Sequence, residues 1–438
     1  MDEQATYAAT AGVRVKRPAD TGRAGSRLAY LQGDRVIGGA SLKGRGAVSN
    51  NAGRFERQHA QTESDGWSRD FPKAKSLQRA YRDVAGDVAK SKTELPTDFD
   101  PAEVLWPEQL KTTVQAEHPK SIITRNTSPD IPFDRSVNAY RGCEHGCVYC
   151  YARPAHAYMG LSPGLDFESK LFAKSNAAEL LETEIGKPRY IVAPIAMGTN
   201  TDPYQPIEKT LKITRSLLEV CDKTNHPVTI TTKSRSVVRD LDILSSMARR
   251  NLVHVNISVT TLDHKLSAIV EPRASAPQRR LDAIRLLSGA GIPTGVMVAP
   301  IIPAINDVEI ERILEAVSHA GAVKAEWVLL RLPREVRYIF EAWLEAHFPD
   351  RKQKVMHHLM NMRNEPNADP RSSNSRVNDP RFGHRMRGVG IEVELLSKRF
   401  ANAKKRFGLD KAIQSLDTDA FVKPERHRDQ SEQLSLFS

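Results

Sequence analysis

The chain has 438 residues, 64 Lys+Arg against 53 Asp+Glu for a net charge of +11, and only four cysteines. No apolar run approaches the ~20 residues that cross a bilayer, and the N-terminus lacks the charged start, apolar core and cleavage site of a secretory signal. The chain therefore reads as soluble and cytoplasmic with no membrane partner. So few cysteines exclude a secreted disulfide framework, and the surplus of positive charge points to an anionic partner, nucleic acid first.

Residues 1–115 are rich in Gly, Ser, Arg, Asp and Gln with little hydrophobic periodicity, and are expected to be largely disordered. Two pieces stand out there. Residues 44–56 (GRGAVSNNAGRFE) read as a flexible linker, or as a segment whose Arg45, Arg54 and Phe55 follow a phosphate backbone; the other piece is a Pro-bounded stretch around Trp106.

From about residue 136, short β-branched runs alternate with amphipathic stretches, the pattern of βαβ units. Strands are expected at 136–140, 190–197, 227–233, 252–260, 292–300 and 325–332, with helices at 208–221, 236–249, 277–289 and 308–320 between them. Six strands fall short of a closed eight-stranded barrel. The expected fold is α/β, a partial open (β/α)6 barrel within residues 116–333, with a doubly wound sheet as the alternative.

Residues 334–410 read as a helical, basic extension. Within 381–406, Arg381, Arg385, Arg387, Lys398, Arg399, Lys404, Lys405 and Arg406 face only Glu392 and Glu394. Leu396, Phe400, Ala403 and Phe407 recur at helical spacing, so that face docks while Lys398 and Lys405 point outward. Phosphate contact and an ordinary solvated face are both open for these charges. Residues 411–438 read as a disordered tail.

The segment NAYRGCEHGCVYCYARP places Cys143, Cys147 and Cys150 in the spacing CxxxCxxC. Three thiolates on one short loop reach three corners of a cubane cluster and leave the fourth iron open to a small ligand. The alternative is a structural zinc site completed by His145 or His156, although zinc ligands usually come as two separated pairs and no second pair follows.

This segment, with Tyr149 just before the last cysteine, resembles the signature of the radical S-adenosylmethionine superfamily. The resemblance implies a 4Fe–4S cluster whose open iron chelates the amino and carboxylate groups of S-adenosylmethionine. It also implies reductive cleavage to a 5′-deoxyadenosyl radical and a reducing donor of flavodoxin or ferredoxin type. Residues 138–303 further resemble spore photoproduct lyase and its uncharacterised relatives: Tyr149 and Tyr151 flank Cys150, ITTKS contains Lys233, HVNISVTT contains Ser258, and a long stretch contains Glu271, Pro272 and Arg280.

By that resemblance Lys233 lies near the cofactor carboxylate, Ser258 contacts the cofactor, and Glu271 and Arg280 bind it or pair with each other. Tyr149 and Tyr151 are candidates for a radical relay, or pack against cluster and adenine. In the polar loop after the second strand, Gly198, Thr199 and Asn200 approach the methionine amino group. Asp202 and Tyr204 are ambiguous, and Asp202 is also a candidate helix N-cap. The photoproduct-lyase pattern has a hydrogen-returning cysteine in this loop, whereas here it reads AMGTNTDPYQ. Cys221, at the far end of the next helix, reads as a small core residue.

The final residues Gln433, Leu434, Ser435, Leu436 and Phe437 resemble the short peptide by which bacterial repair proteins hook onto the sliding clamp, with folding back or chance as the plain alternative. The combined expectation is a lyase-like radical enzyme acting on DNA in damage repair or base modification. Modification of RNA or protein by the same radical, or a cluster-bearing sensor without turnover, are the alternatives.

Overall fold

The computed structural model describes residues 29–32, 35–38, 44–50, 53–55, 110–364 and 377–424. Trp106 and residues 433–437 lie outside the described residues. Seven strands form the large sheet: β1 Ile123–Arg125, β2 Arg135–Val137, β3 Ile195–Met197, β4 Val228–Thr232, β5 Val253–Ser258, β6 Thr294–Ile301 and β7 Lys324–Leu329. Their spatial order follows the chain from β7 to β1; β2 to β7 run parallel and β1 pairs antiparallel with β2. A doubly wound sheet reverses its order at a switch point; this one never does, and its two ends stay open.

All six expected strands are present. The second is shorter than expected, because residues 190–194 are irregular. The expected helix at 208–221 is two helices, Glu208–Leu211 and Ile213–Lys223, broken at Lys212 with φ 55°. Glu208 turns its carboxylate onto the new helix start, accepting from the amides of Thr214 (3.0 Å) and Arg215 (3.3 Å). The expected helix at 236–249 opens with a 3-10 stretch, Arg235–Asp240, which hydrophobic spacing does not separate from an α-turn. Pro277–Gly289 and Ile310–His319 cover the outer face as expected, and Cys221 is wholly inside the core.

A small sheet that periodicity did not announce sits beside the cysteine segment. Thr113–Glu117 runs parallel to Lys170–Lys174, and Tyr140–Arg141 pairs antiparallel with the same strand. It fastens together the two ends of the loop that carries the cysteines.

The extension beyond β7 is structural first. Leu329 N–H donates to the Met386 carbonyl (3.0 Å) and Ala325 N–H to that of Leu409 (3.1 Å), so returning chain covers an edge strand that would otherwise present unpaired backbone. Helix Ile391–Arg406 buries Val393, Leu396, Phe400 and Ala403 in the same core as Ile313, Leu314 and Val317. Lys398 and Lys405 are exposed, as the spacing implies.

Five of the eight basic residues are not free for a ligand. Arg381 pairs with Asp379, Arg385 with Asp130, Arg387 and Lys404 with Glu326, and Arg399 with Glu311. Their acidic partners lie mostly far away in sequence, outside the window in which the charge run was counted.

Residues 411–424 also depart from the expected disordered tail. Asp417 N–H donates to Asn251 O and Val422 N–H to Thr224 O (2.9 Å each), while Phe421 packs against Tyr190 and His226. One aromatic anchor and a few backbone bonds hold this stretch across the turns that lead into β4 and β5, with no periodicity to reveal it.

Docking of the last helix is testable. Phe400→Ala removes a ring that is 2% exposed beside Trp327, and chemical denaturation of the full chain is expected to show a loss of about 3–5 kcal/mol. Lys398→Ala on the outer face is expected to change stability by no more than ~0.5 kcal/mol.

Candidate active site

The candidate residues gather at the C-terminal ends of the parallel strands. Asn138 and the cysteine loop follow β2, the turn Gly198, Thr199 and Asn200 follows β3, Lys233 follows β4, Ser258 ends β5 and Arg331 follows β7. Consecutive parallel strands bring these ends to one mouth, where such folds collect their chemistry.

Several backbone bonds fix the cysteine loop. Cys143 N–H donates to Phe167 O (2.9 Å), Val148 N–H to Val270 O (3.2 Å) and Cys150 N–H to Cys147 O (3.2 Å). Gln205 reaches in from the loop after β3, accepting from Glu144 N–H (2.9 Å) and donating to Gly142 O (3.2 Å). Arg153, just past the third cysteine, is fully buried. Its Nε and Nη2 donate to the Cys147 carbonyl (2.9 and 2.8 Å), its Nη1 to Gly164 O (2.8 Å), and its guanidinium pairs with Glu168.

Beneath the loop lies the segment expected to be a linker. The buried Glu168 carboxylate accepts from the amides of Gly46 (2.9 Å) and Ala47 (2.8 Å). Arg45 is buried and donates to Glu168 O (2.6 Å), Leu110 O (2.6 Å) and Thr112 Oγ1 (2.9 Å); Arg54 pairs with Glu335. Residues 44–50 are therefore neither a linker nor a phosphate-following arm, but a strap packed into the site. Gly46 is required there by close approach: a Cβ would stand 1.7 Å from the Gly146 carbonyl oxygen.

The three thiols are free and influence one another's charge. Burial pushes all three upward. The Asp202 and Glu271 charges add to this at Cys143 and Cys147 respectively, while Lys233 opposes it at Cys147 and Arg153 at Cys150. Thiolates in such surroundings need a bound cation to offset their charge, and a metal centre would supply it.

Each histidine offered for zinc has one ring nitrogen engaged elsewhere, although among the described residues His156 Nδ1 is buried without a hydrogen-bond partner. His145 Nδ1 lies 3.3 Å from Asp202, and His156 sets Nε2 against Lys170 O (2.9 Å) in an aromatic pocket where burial lowers its pKa to about 4. Among the described residues no three His, Cys, Asp or Glu side chains converge as ligands of a single ion. A donor set of three thiols with no fourth protein ligand fits a cubane held at three corners.

Lys233 forms the polar centre of the mouth. Its Nζ donates to Ser258 Oγ (2.6 Å), Thr260 Oγ1 (3.3 Å) and Ala299 O (3.3 Å) and lies 3.1 Å from Glu271 Oε1. Glu271 also pairs with Arg280, accepts from the Tyr149 hydroxyl, and accepts from Thr260 Oγ1 at 2.6 Å. Burial works against its charge, yet Arg280 and Lys233 outweigh that and hold its carboxyl far below the usual range. Arg280 also donates to Ser258 O (3.0 Å). Lys233, Ser258, Glu271, Arg280 and Tyr149 are thus one network, with Glu271 and Arg280 paired to each other.

The loop after β3 is pinned by Asn138, whose Oδ1 accepts from Asn200 N–H (2.9 Å) and whose Nδ2 donates to Thr199 Oγ1 (3.0 Å). Gly198, at φ 92°, lies so close to β4 that a Cβ would fall 2.0 Å from Thr231 O. Asp202 caps no helix. It accepts from Tyr204 N–H (2.8 Å), Thr232 Oγ1 (2.6 Å) and Lys233 N–H (2.8 Å) while facing His145, and so bridges the cysteine loop to the end of β4. Tyr204 is buried, with its hydroxyl on Asp240 (3.0 Å). Tyr151 is 49% exposed, and its hydroxyl donates to Thr199 O.

Sequence reasoning missed Arg153, Glu168, Thr260 and the strap. Arg153 stands inside the quoted motif, but its partner is an acid across a loop of no special spacing.

The chain belongs to the radical SAM superfamily: the family model of that description matches residues 137–317, which hold all three cysteines, Lys233, Ser258, Glu271 and Arg280. Enzymes of this class use a 4Fe–4S cluster and S-adenosylmethionine. An uncharacterised protein of Mycobacterium tuberculosis is 35% identical over 222 residues, 50% of this chain and 65% of that one. Another from Methanocaldococcus jannaschii is 30% identical over 214 residues, 49% of this chain and 76% of that one. The match thus spans less than two thirds of the mycobacterial relative. Among solved structures, a mutant spore photoproduct lyase with bound AdoMet and dinucleoside spore photoproduct aligns at TM-score 0.47 and 15% identity, over 76% of this chain and 91% of that one. No helix among the described residues is long and apolar enough to cross a membrane.

The strap makes a prediction. In Gly46→Ala the new methyl forces the strap or the cysteine loop to move, an overpacking cost of roughly 1–3 kcal/mol, and iron bound per chain after anaerobic reconstitution is expected to fall. Gly289→Ala, whose methyl meets nothing within 4 Å, is expected to keep the wild-type iron content.

Proposed function

We propose that this protein is a radical SAM enzyme that acts on nucleic acid, DNA first, in base modification or damage repair. The carrying observation is the loop of three free thiols at the mouth of the parallel sheet, beside the Lys233 network and with no fourth ligand side chain converging on them among the described residues. Cys143, Cys147 and Cys150 would hold the cluster, which with bound S-adenosylmethionine supplies a 5′-deoxyadenosyl radical.

The chain's own residues then bind and orient. Lys233 and Ser258 offer a cation and a hydroxyl to the cofactor carboxylate. Glu271 Oε1, 3.1 Å from the ammonium, holds it in place, and Arg280 in turn keeps Glu271 ionised. The turn of Gly198, Thr199 and Asn200 is the proposed seat of the methionine amino group. No thiol occurs in the loop after β3 and Cys221 is inside the core, so cysteine-mediated hydrogen return is not part of this reading. The phenols of Tyr151 and Tyr149 are the proposed hydrogen relay.

The nucleic-acid reading is supported by the net charge and by Lys398, Lys405 and Arg406, which stay exposed while the other five basic residues of 381–406 are paired. The tail residues Gln433, Leu434, Ser435, Leu436 and Phe437 are the proposed hook for the sliding clamp, and a flavodoxin- or ferredoxin-type protein the proposed electron donor.

Anaerobically reconstituted protein with dithionite is expected to convert S-adenosylmethionine to 5′-deoxyadenosine, and Cys150→Ala to make none. With deuterated DNA as substrate, deuterium is expected in the 5′-deoxyadenosine. A wild-type protein that shows the cluster spectrum and never cleaves the cofactor is a sensor instead, and cleavage with deuterium transfer only from RNA or protein reassigns the substrate. Deletion of residues 433–438 is expected to abolish co-elution with a bacterial sliding clamp at unchanged iron content; undiminished co-elution removes the clamp reading.

A further inference from the structure

Arg331 leaves β7 at the mouth, one residue after Leu330 N–H closes a bond to Ile301 O (2.9 Å). Its guanidinium is poorly satisfied. Nη1 has only the Met386 thioether at 3.6 Å, the ring of Tyr151 lies 5.8 Å from Cζ, and Nε is buried with no hydrogen-bond partner. Among the described residues no carboxylate pairs with it, whereas Arg385 has Asp130 and Arg363 has the carbonyls of Leu329, Leu330 and Arg385. Burial lowers its pKa and nearby Arg385 adds like-charge repulsion, which Tyr151 and Asp130, the latter paired to Arg385, do not outweigh.

A half-buried guanidinium that gains so little from its own protein is costly unless an anion completes it. Its planar fork matches a phosphate in two parallel bonds. The neighbours favour a nucleic-acid strand over a lone phosphate. Tyr151 is half exposed on one side, and Arg385 carries the 57% exposed ring of Phe382 at 4.7 Å. Cations alternating with exposed aromatic faces suit a strand whose phosphates and bases alternate in the same way.

We propose that Arg331 binds a phosphodiester of the substrate strand and so holds the reacting nucleotide at the mouth beside Tyr151. This rests on the nucleic-acid reading above and adds the residue and the group it grips.

The test is fluorescence anisotropy of a fluorescein-labelled single-stranded deoxyoligonucleotide of about a dozen nucleotides with reconstituted protein across a potassium chloride series. Arg331→Gln is expected to weaken binding about tenfold and to lower the slope of log affinity against log salt by about 0.7, the loss of one single-strand phosphate contact. Arg331→Lys is expected to restore the slope and only part of the affinity. Replacing the strand's phosphodiesters singly with neutral methylphosphonates is expected to find one linkage that matters to wild type and not to Arg331→Gln. Iron content and S-adenosylmethionine binding, measured alongside, are expected to be unchanged in both variants.

Wild-type affinity and slope in Arg331→Gln overturn this proposal alone. Failure of the wild-type protein to bind the oligonucleotide overturns the nucleic-acid reading with it. Arg331-dependent binding of inorganic phosphate or a mononucleotide, with none of the strand, replaces the strand by a small phosphorylated substrate and overturns the proposal as stated.

Discussion

The Glu168 carboxylate is fully enclosed, and its two oxygens serve the Arg153 guanidinium and the amides of Gly46 and Ala47. A charge taken this far from water is costly unless each lone pair is met, and here a cation and two backbone donors meet it. Through that one group the strap, the helix Leu165–Ser169 and the Cys147 carbonyl are held in a single arrangement. The loop that carries the thiols has little regular structure of its own, so its shape is inherited from this buried pair and from the small sheet that joins its ends.

A second enclosed acid organises the other side of the mouth. Glu271 stands between Lys233 and Arg280 and accepts from Thr260 and Tyr149, tying the ends of β4 and β5 to the cysteine loop. Both acids share a design in which a carboxylate from outside the sheet meets a cation from a functional loop, Arg153 for Glu168 and Lys233 for Glu271. The scaffold is ordinary parallel sheet; what individualises the site is where these two negative charges are buried.

Much of the scaffold was legible because apolar periodicity is local: six strand runs and the buried face of Leu396, Phe400 and Ala403 need only neighbouring residues to be read. The thiol triplet was legible for the same reason, and Lys233, Ser258, Glu271 and Arg280 through resemblance. The strap was not, since Gly-Arg-Gly in a polar stretch looks like linker until Glu168, 122 residues away from Gly46, supplies its partner. The basic run misled in the mirror-image way: its charges were counted against acids nearby in the chain, whereas Arg385 and Arg399 find theirs in Asp130 and Glu311. The segment at 411–424 failed because backbone bonds carry no sequence signature.

Asp202 touches both halves of the site, facing His145 in the cysteine loop and accepting the backbone amide of Lys233. A group shared in this way couples the arrangement of the cysteine loop to the placement of Lys233. Whatever free energy the ordered cysteine loop lends to the placement of Lys233, an ordered Lys233 returns in equal measure to the cysteine loop. On the proposed reading, a cofactor held at Lys233 would therefore favour the same arrangement of the cysteine loop that holds the cluster.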